Sequence, residues 1–200
     1  MDDQTRIVLA IASRILSYPT EAFKSEQADI EAVIREDISS KPLRKTLAQA
    51  VAPIYDKSKW RIMEHYVETF DLKEKAGLYL TAHELGDSRK RGIALIELRR
   101  MIREAGFECG DDELADYIPM LYELLAHSEE SEPMEQLRQR LSFATQRIRR
   151  HLAEDNPYKP FFSILMEAVF KELSPQDMEK LEQGREKPDL DTMPYPLMYK

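Results

Sequence analysis

The chain has 200 residues, 29 basic and 37 acidic, and a formal net charge of −8. That balance argues against nucleic acid as a partner, because polyanion binders carry a basic field. A chain this long buries roughly 70% of its extended surface on folding and needs no disulfide or metal to hold it. The single cysteine, Cys109, has no internal partner and fits a reducing compartment. No stretch approaches the ~18 apolar residues of a membrane span. The start, MDDQTRIVLAIASRILSYP, opens on acids and is interrupted by Arg14, unlike a signal peptide. These features predict a soluble, cytoplasmic protein with no direct membrane insertion.

Helical periodicity runs the length of the chain. Ile7, Ile11 and Ile15 with Val8, Ala12 and Leu16 form a first apolar stripe, which should end at Tyr18-Pro19. Thr20 is placed to cap a second helix with Phe23, Ile30, Val33, Ile34 and Ile38 inward. Pro42 opens a third, with Leu43, Leu47, Val51 and Ile54 and a kink expected at Pro53. Ser58 is the candidate cap of a fourth, from Trp60 to Phe70, and Asp71 of a fifth covering LKEKAGLYLTAHEL. Gly86 should supply a left-handed stop and Asp87 or Ser88 the cap of a sixth helix, carrying Ile93, Ile96, Met101 and Ile102 and ending at Gly106.

Asp111 or Asp112 is expected to cap a seventh helix that contains Leu114, Tyr117, Ile118, Leu121, Leu124 and Leu125, kinked at Pro119. After a loop at HSEESEP, Leu137, Leu141, Ala144, Ile148 and Leu152 make an eighth stripe, and Phe161, Ile164, Leu165, Ala168 and Val169 a ninth. Ser174, Pro175 and Gly184 bracket a short last helix. No run alternates as a strand should. The fold class predicted is all-α, a single-domain helical bundle over residues 1–184, followed by a flexible proline-containing tail over 185–200.

Motifs for catalysis are weak. HELGD begins like the zinc motif HExxH, but Asp87 stands where the second histidine is needed, and His65, His83, His127 and His151 are scattered. His83 reads as a helix-surface or groove residue. The chain has no Walker loop, no GxGxxG, no GxSxG and no CxxC pair. It is expected not to be an enzyme and to hold no metal. Charge is segregated instead. Every charged residue from Glu104 to Glu135 is acidic, while Arg89, Lys90, Arg91, Arg99, Arg100 and Arg103 lie just upstream. Either the two stretches attract each other across the fold, or they form a two-signed surface that orients a charged peptide.

Five blocks then occur in order: YVETFD (66–71), LYLT (78–81), GDSRKRG (86–92), AGFE (105–108) and DDELADY (111–117). Together they strongly resemble the NarJ-type nitrate reductase molybdenum cofactor assembly chaperones, of the TorD-like chaperone group. That family usually has Thr at the position of Ser88. The resemblance is dense over residues 60–125. It implies a cytoplasmic, all-helical chaperone acting in nitrate assimilation, which binds the N-terminal leader of the nitrate reductase alpha subunit. It also implies that the chaperone holds this client for molybdenum cofactor insertion before membrane docking, with no cofactor stably bound to itself. A general helical peptide-binding adaptor for another client is the alternative. The wider group carries an acidic-Pro-x-Asp-His hinge. Glu113 and Asp116 match it, but Ala115 stands where proline is common and Tyr117 where histidine is usual, so no imidazole role carries over.

On this reading the peptide groove is lined by Tyr66, Phe70, Leu78, Tyr79 and Tyr117, with Glu68, Asp71, Asp116 and Glu123 meeting basic groups. Asp87, Arg89 and Arg91 complete the expected set. Three cations at the start of a helix oppose its dipole, so Arg89 and Arg91 should face either buried carboxylates, as a staple between helices, or a client. The apolar tail segment MPYPLMY (193–199) should dock on this protein's own leader groove or on the client, or else remain a disordered tail.

Overall fold

The structure, a computed structural model, describes residues 1–110 and 113–186. Among these, ten α-helices follow in chain order and no β-strand occurs. They are α1 (Asp3–Ile15), α2 (Glu26–Glu36), α3 (Lys41–Tyr55), α4 (Lys59–Tyr66), α5 (Leu80–Leu85), α6 (Arg91–Glu104), α7 (Ile118–His127), α8 (Glu132–His151), α9 (Lys159–Ala168) and α10 (Pro175–Gln183). The all-α single-domain expectation holds.

The apolar stripes set the packing. Asp2 caps α1 by accepting from the Thr5 amide at 2.8 Å, and Val8, Leu9, Ala12 and Ile15 reach zero exposure. This helix lies antiparallel along α7. Arg6 at one end donates to the carbonyls of Ala126 (2.7 Å) and Ser128 (2.8 Å), while Leu16 at the other end meets Tyr117. The longest helix, α8, buries Leu137, Leu141, Ala144 and Ile148 against α9 and α5. Each such leucine or isoleucine contributes roughly 1.5–3 kcal/mol by leaving water. A bidentate pair ties α8 to α5, with Arg140 Nε and Nη2 on the Glu84 carboxylate at 2.7 and 2.8 Å.

Several local expectations are corrected. Thr20 makes no side-chain cap; a short 3-10 turn (Glu21–Lys24) precedes α2. The Trp60–Phe70 helix stops at Tyr66 and passes into one π-turn, Val67–Asp71, where the Leu72 amide reaches back five residues to Val67 O at 3.0 Å. Asp71 caps nothing. Residues 72–79 form a 3-10 turn (Glu74–Ala76) and an extended stretch, because the backbone there finds a non-local partner: Leu80 N bonds Asp116 O and Ile118 N bonds Leu78 O, both at 2.9 Å. The same pairing holds Leu114 to Tyr117 out of α7, so that Pro119 sits in the first turn, where its missing N–H costs nothing, and does not kink the helix. The proposed caps Asp111 and Asp112 lie outside the described residues, as does the chain from Lys187 onward.

Glycine terminates α6 as expected. Gly106 (φ 86°) completes a Schellman motif, with its own amide on Arg103 O at 3.0 Å and the Phe107 amide on Ile102 O at 3.1 Å. Gly86 has positive φ (64°), but with ψ −133° it is extended, not left-handed helical. Its Cα faces the backbone of Glu186, with which it forms a parallel bridge. A Cβ there would overlap the Glu186 carbonyl, so only glycine fits. Ile93 and Ile96, placed with the apolar set of α6, are 63% and 72% exposed; Leu98 and Ile102 are its buried residues.

Candidate functional site

Two tyrosines close the end of α1. The Leu16 carbonyl is one of the acceptors a helix C-terminus leaves without a partner. The hydroxyls of Tyr66 and Tyr117 both approach it at 3.3 Å and lie 2.9 Å from each other. Two hydroxyl protons serve three short contacts, so two are hydrogen bonds at any moment. Burial and their mutual proximity push the Tyr66 phenol far above its usual range, and burial likewise raises Tyr117, so both stay neutral.

Around this pair the side chains form one surface. Tyr18 meets Tyr66 edge-on at 5.3 Å between ring centroids, and Tyr79 lies 5.8 Å from Tyr117. The Tyr79 hydroxyl donates to Glu113 Oε1 at 2.9 Å. Partial burial, together with the charge of Glu113, raises the Asp71 carboxyl above its usual range. Beside Tyr18 runs an open groove of about 410 Å³ lined by Trp60, Met63, Glu64, Val67 and Glu68. Trp60 is 79% exposed. The groove therefore pairs an apolar, aromatic floor with carboxylates, and the π-turn supplies Val67 and Glu68 to it. The turn is held from behind, where Asn156 Nδ2 donates to the buried Thr69 hydroxyl at 2.9 Å.

The expected site residues divide. Tyr66, Tyr79 and Tyr117 come together, with Glu68 and Asp71 exposed on the same side. Tyr66, Phe70 and Leu78 are core, 4%, 3% and 2% exposed, so Tyr66 touches Tyr117 from beneath; Phe70 packs on Tyr158 and Phe162 behind the surface. Glu123 is exposed further along the α1–α7 seam, where it accepts from Ser13. Asp116 is completely buried. One of its oxygens accepts from the amide of Thr81 at 3.1 Å and from the Thr81 hydroxyl, and lies 3.8 Å from Arg91 Nη2. It thereby caps α5 from a remote loop, a task that Tyr79 at the N-cap position does not perform. Arg91 also donates to the Thr81 hydroxyl at 3.1 Å, which ties the starts of α5 and α6 together.

Asp87 does not cap α6. It is exposed, and Ser88 does not cap the helix either: its hydroxyl accepts from the Lys90 amide at 3.3 Å, within the turn that precedes α6. Arg89 is exposed and turned to solvent.

His83 is not a surface or groove residue; it is 1% exposed. Its Nε2 donates to Gly77 O at 2.6 Å and its Nδ1 accepts from Arg147 Nη1 at 2.9 Å, which fixes the neutral tautomer. Burial holds its pKa down at about 3. Arg147, itself 2% exposed, comes from α8 and lies 3.6 Å from Glu182 of α10. Among the described residues no group of histidines, cysteines and carboxylates converges as a metal site, and no helix is long and apolar enough to cross a membrane.

Trp60, Tyr18, Met63 and Glu64 were not singled out from sequence as site residues. A signal existed: Ile62 and Tyr66 set the buried phase of α4, and Trp60, the only tryptophan of the chain, falls off that phase. A large apolar residue off-phase marks surface that seeks a partner.

Fold and geometry define an all-helical, single-domain protein with one aromatic, acid-rimmed face. Residues 37–154 match the family described as nitrate reductase delta subunit, and the chain belongs to that family. It is 30% identical over 164 residues to the probable nitrate reductase molybdenum cofactor assembly chaperone NarJ of Bacillus subtilis, covering 82% of this chain and 89% of that protein. With the NarJ chaperone of Escherichia coli (strain K12) it shares 29% identity over 164 residues, 80% of this chain and 68% of that one. The probable chaperone NarW of the same strain is 24% identical over 184 residues, 91% and 76% of the two chains.

Proposed function

We propose that this chain is a dedicated, non-enzymatic cytoplasmic chaperone of nitrate reductase. It binds the N-terminal leader of the alpha subunit and keeps that subunit competent for molybdenum cofactor insertion before membrane docking, without holding the cofactor itself. The observation that carries the reading is the open groove at Tyr18, Trp60, Met63 and Val67, rimmed by Glu64 and Glu68. A leader entering as an amphipathic helix lays its apolar face on the aromatic floor and its basic groups against the rim. Tyr79 and Tyr117 form the continuation of that floor, supported by the buried Tyr66, and Asp71 and Glu113 extend the acidic edge. Phe70, Leu78 and Asp116 act from below, holding the surface in shape, and Glu123 lies at its far margin. Asp87, Arg89 and Arg91 belong to the neighbouring α5–α6 junction and position the face without lining it.

The test is calorimetry with a peptide of the first ~20–30 residues of the alpha subunit, a length typical of a targeting segment. The expected dissociation constant lies between micromolar and nanomolar, about −8 to −12 kcal/mol. Trp60, as the sole tryptophan, gives an independent fluorescence readout of the same event. No heat and no fluorescence change at ~100 μM peptide, far above that range, would overturn the assignment.

A further inference from the structure

α6 presents a second apolar surface, which shares no lining residue with the groove at Tyr18 and Trp60. Ile93 and Ile96, 63% and 72% exposed, are one turn apart, and Ile96 lines a shallow groove with Leu95, Leu114 and Ala115. Cations flank the strip: Arg89 and Lys90 precede it, and Arg99, Arg100 and Arg103 follow. Among the described residues, ion pairs engage only Arg100 of these five, through Glu104. Exposed isoleucines inside a cationic frame are a poor surface to leave in water.

The chain itself supplies a complementary segment. At Glu186 the backbone is pinned to Gly86 in a parallel bridge, with Glu186 N on Leu85 O at 3.1 Å and Asp87 N on Glu186 O at 3.4 Å. Parallel pairing means that the chain at Glu186 runs the same way as the segment Leu85–Asp87, which lies just before the turn into α6. The anchor is firm, because Arg185 donates to Ala82 O at 3.0 Å and pairs with Glu74 at 3.2 Å. Residues 187–200 follow, KPDLDTMPYPLMYK. Extended, fourteen residues reach ~45 Å, about twice the ~21 Å length of a fourteen-residue helix. Charge order matches as well: Asp189 and Asp191 come first in this segment and the apolar Met193 to Tyr199 later, as Arg89 and Lys90 precede Ile93 and Ile96 along the chain.

We propose that residues 187–200 dock along α6, the acidic pair on Arg89 and Lys90 and the apolar segment on the Ile93–Ile96–Leu114 strip. The tail covers α6 and leaves the aromatic groove free. Tethering at Glu186 supplies an effective concentration of order millimolar, so a contact too weak to hold a free peptide suffices.

A nitroxide on the full chain tests this, in a Cys109→Ser background with Glu97→Cys as the labelled position beside the strip. A second sample carries the label at Trp60→Cys. Amide signals of residues 193–199 should broaden strongly with the label at position 97, keep their intensity with the label at position 60, and behave identically on dilution. Adding Ile93→Asp and Ile96→Asp, both at exposed positions, should restore the signals. Unaffected signals at position 97, broadening from position 60, or broadening only between differently labelled copies in a mixed sample would each overturn the proposal. The last outcome would assign the strip to a second copy. Deletion of residues 187–200 should leave leader affinity unchanged, so this proposal and the leader assignment fail separately.

Discussion

Asp116→Ala tests whether the carboxylate is a remote helix cap or a ligand for the leader. The side chain is completely buried, and one oxygen serves the Thr81 amide at 3.1 Å, the Thr81 hydroxyl and, at 3.8 Å, Arg91. Alanine removes the acceptor for a first-turn N–H of α5, worth about 1 kcal/mol as a cap, and a buried hydrogen bond to a charged group, worth about 1.5–3 kcal/mol. Arg91 is 29% exposed and regains water, so its lost partner adds little. The sum is about 3 kcal/mol. For a chain of this size each kcal/mol moves the melting temperature by roughly 2–4 °C, so the expected drop is ~6–12 °C. Asp116→Asn keeps a carbonyl acceptor for Thr81 and should lose about half as much. Urea unfolding followed by circular dichroism measures both, and a cycle with Arg91→Met should give a coupling of about 0.5–1 kcal/mol. Because the carboxylate does not reach the surface, Asp116→Asn should leave leader affinity unchanged. Weakened leader binding at an unchanged melting temperature would refute the cap assignment, as would an alanine variant that melts with the wild type.

Trp60→Ala should weaken the leader by about 10–30-fold, as a central aromatic anchor does, and leave the melting temperature unmoved because the ring is already 79% exposed. Glu64→Gln combined with Glu68→Gln should slow leader association and flatten its dependence on salt, which stopped-flow fluorescence of Trp60 follows directly. Gly86→Ala places a methyl against the Glu186 carbonyl at a φ of 64° and should cost about 1–3 kcal/mol, read by thermal melting and by faster proteolysis near residue 185. His83 stays neutral in the fold, with its pKa held at about 3 against 6.5 when unfolded, so the stability it carries is complete above pH 6.5 and falls as pH drops. The slope is about 1.4 kcal/mol per pH unit between roughly pH 6 and 4. His83→Gln should flatten that part of the pH–stability curve; a parallel curve for the variant would show that another group carries it.

Much of the fold was legible because helices α1, α3, α8 and α9 are governed by local periodicity. Val8, Leu47, Leu141 and Leu165 reach zero exposure in the phase their spacing predicts. Errors cluster where backbone partners are non-local. Residues 72–79 and 114–117 look helical by composition, yet the Leu78 and Asp116 carbonyls accept from the Ile118 and Leu80 amides, about forty residues away in sequence. No window of local pattern contains that information. The same cause hid the role of Asp116, whose Thr81 partner is distant in sequence, and that of His83, whose buried partner Arg147 lies on another helix. Of the candidate face, the tyrosines were legible through the family blocks. Trp60 and Tyr18 lie outside those blocks and announce themselves only through the packing phase of α4 and the end of α1.

The stretch HELGDSRKRG shows how these levels meet. Its three cations oppose the dipole of α6, yet the conflict is resolved differently at each. Arg91 turns inward to the Asp116–Thr81 pair and joins α5 to α6. Arg89 and Lys90 stay outward at the head of the exposed isoleucine strip. His83, five residues before Ser88, faces the opposite way into the core, and Gly86 between them admits the returning chain at Glu186. Ten residues thus fix α8 from within, fix the α5–α6 corner, and receive the end of the chain. The aromatic face rests on the same corner, because Asp116, Tyr117 and Ile118 are consecutive: the first caps α5, the second closes α1, and the third pairs with Leu78. Of these three, Tyr117 alone belongs to both the corner and the face, through its hydroxyl contact with Tyr66.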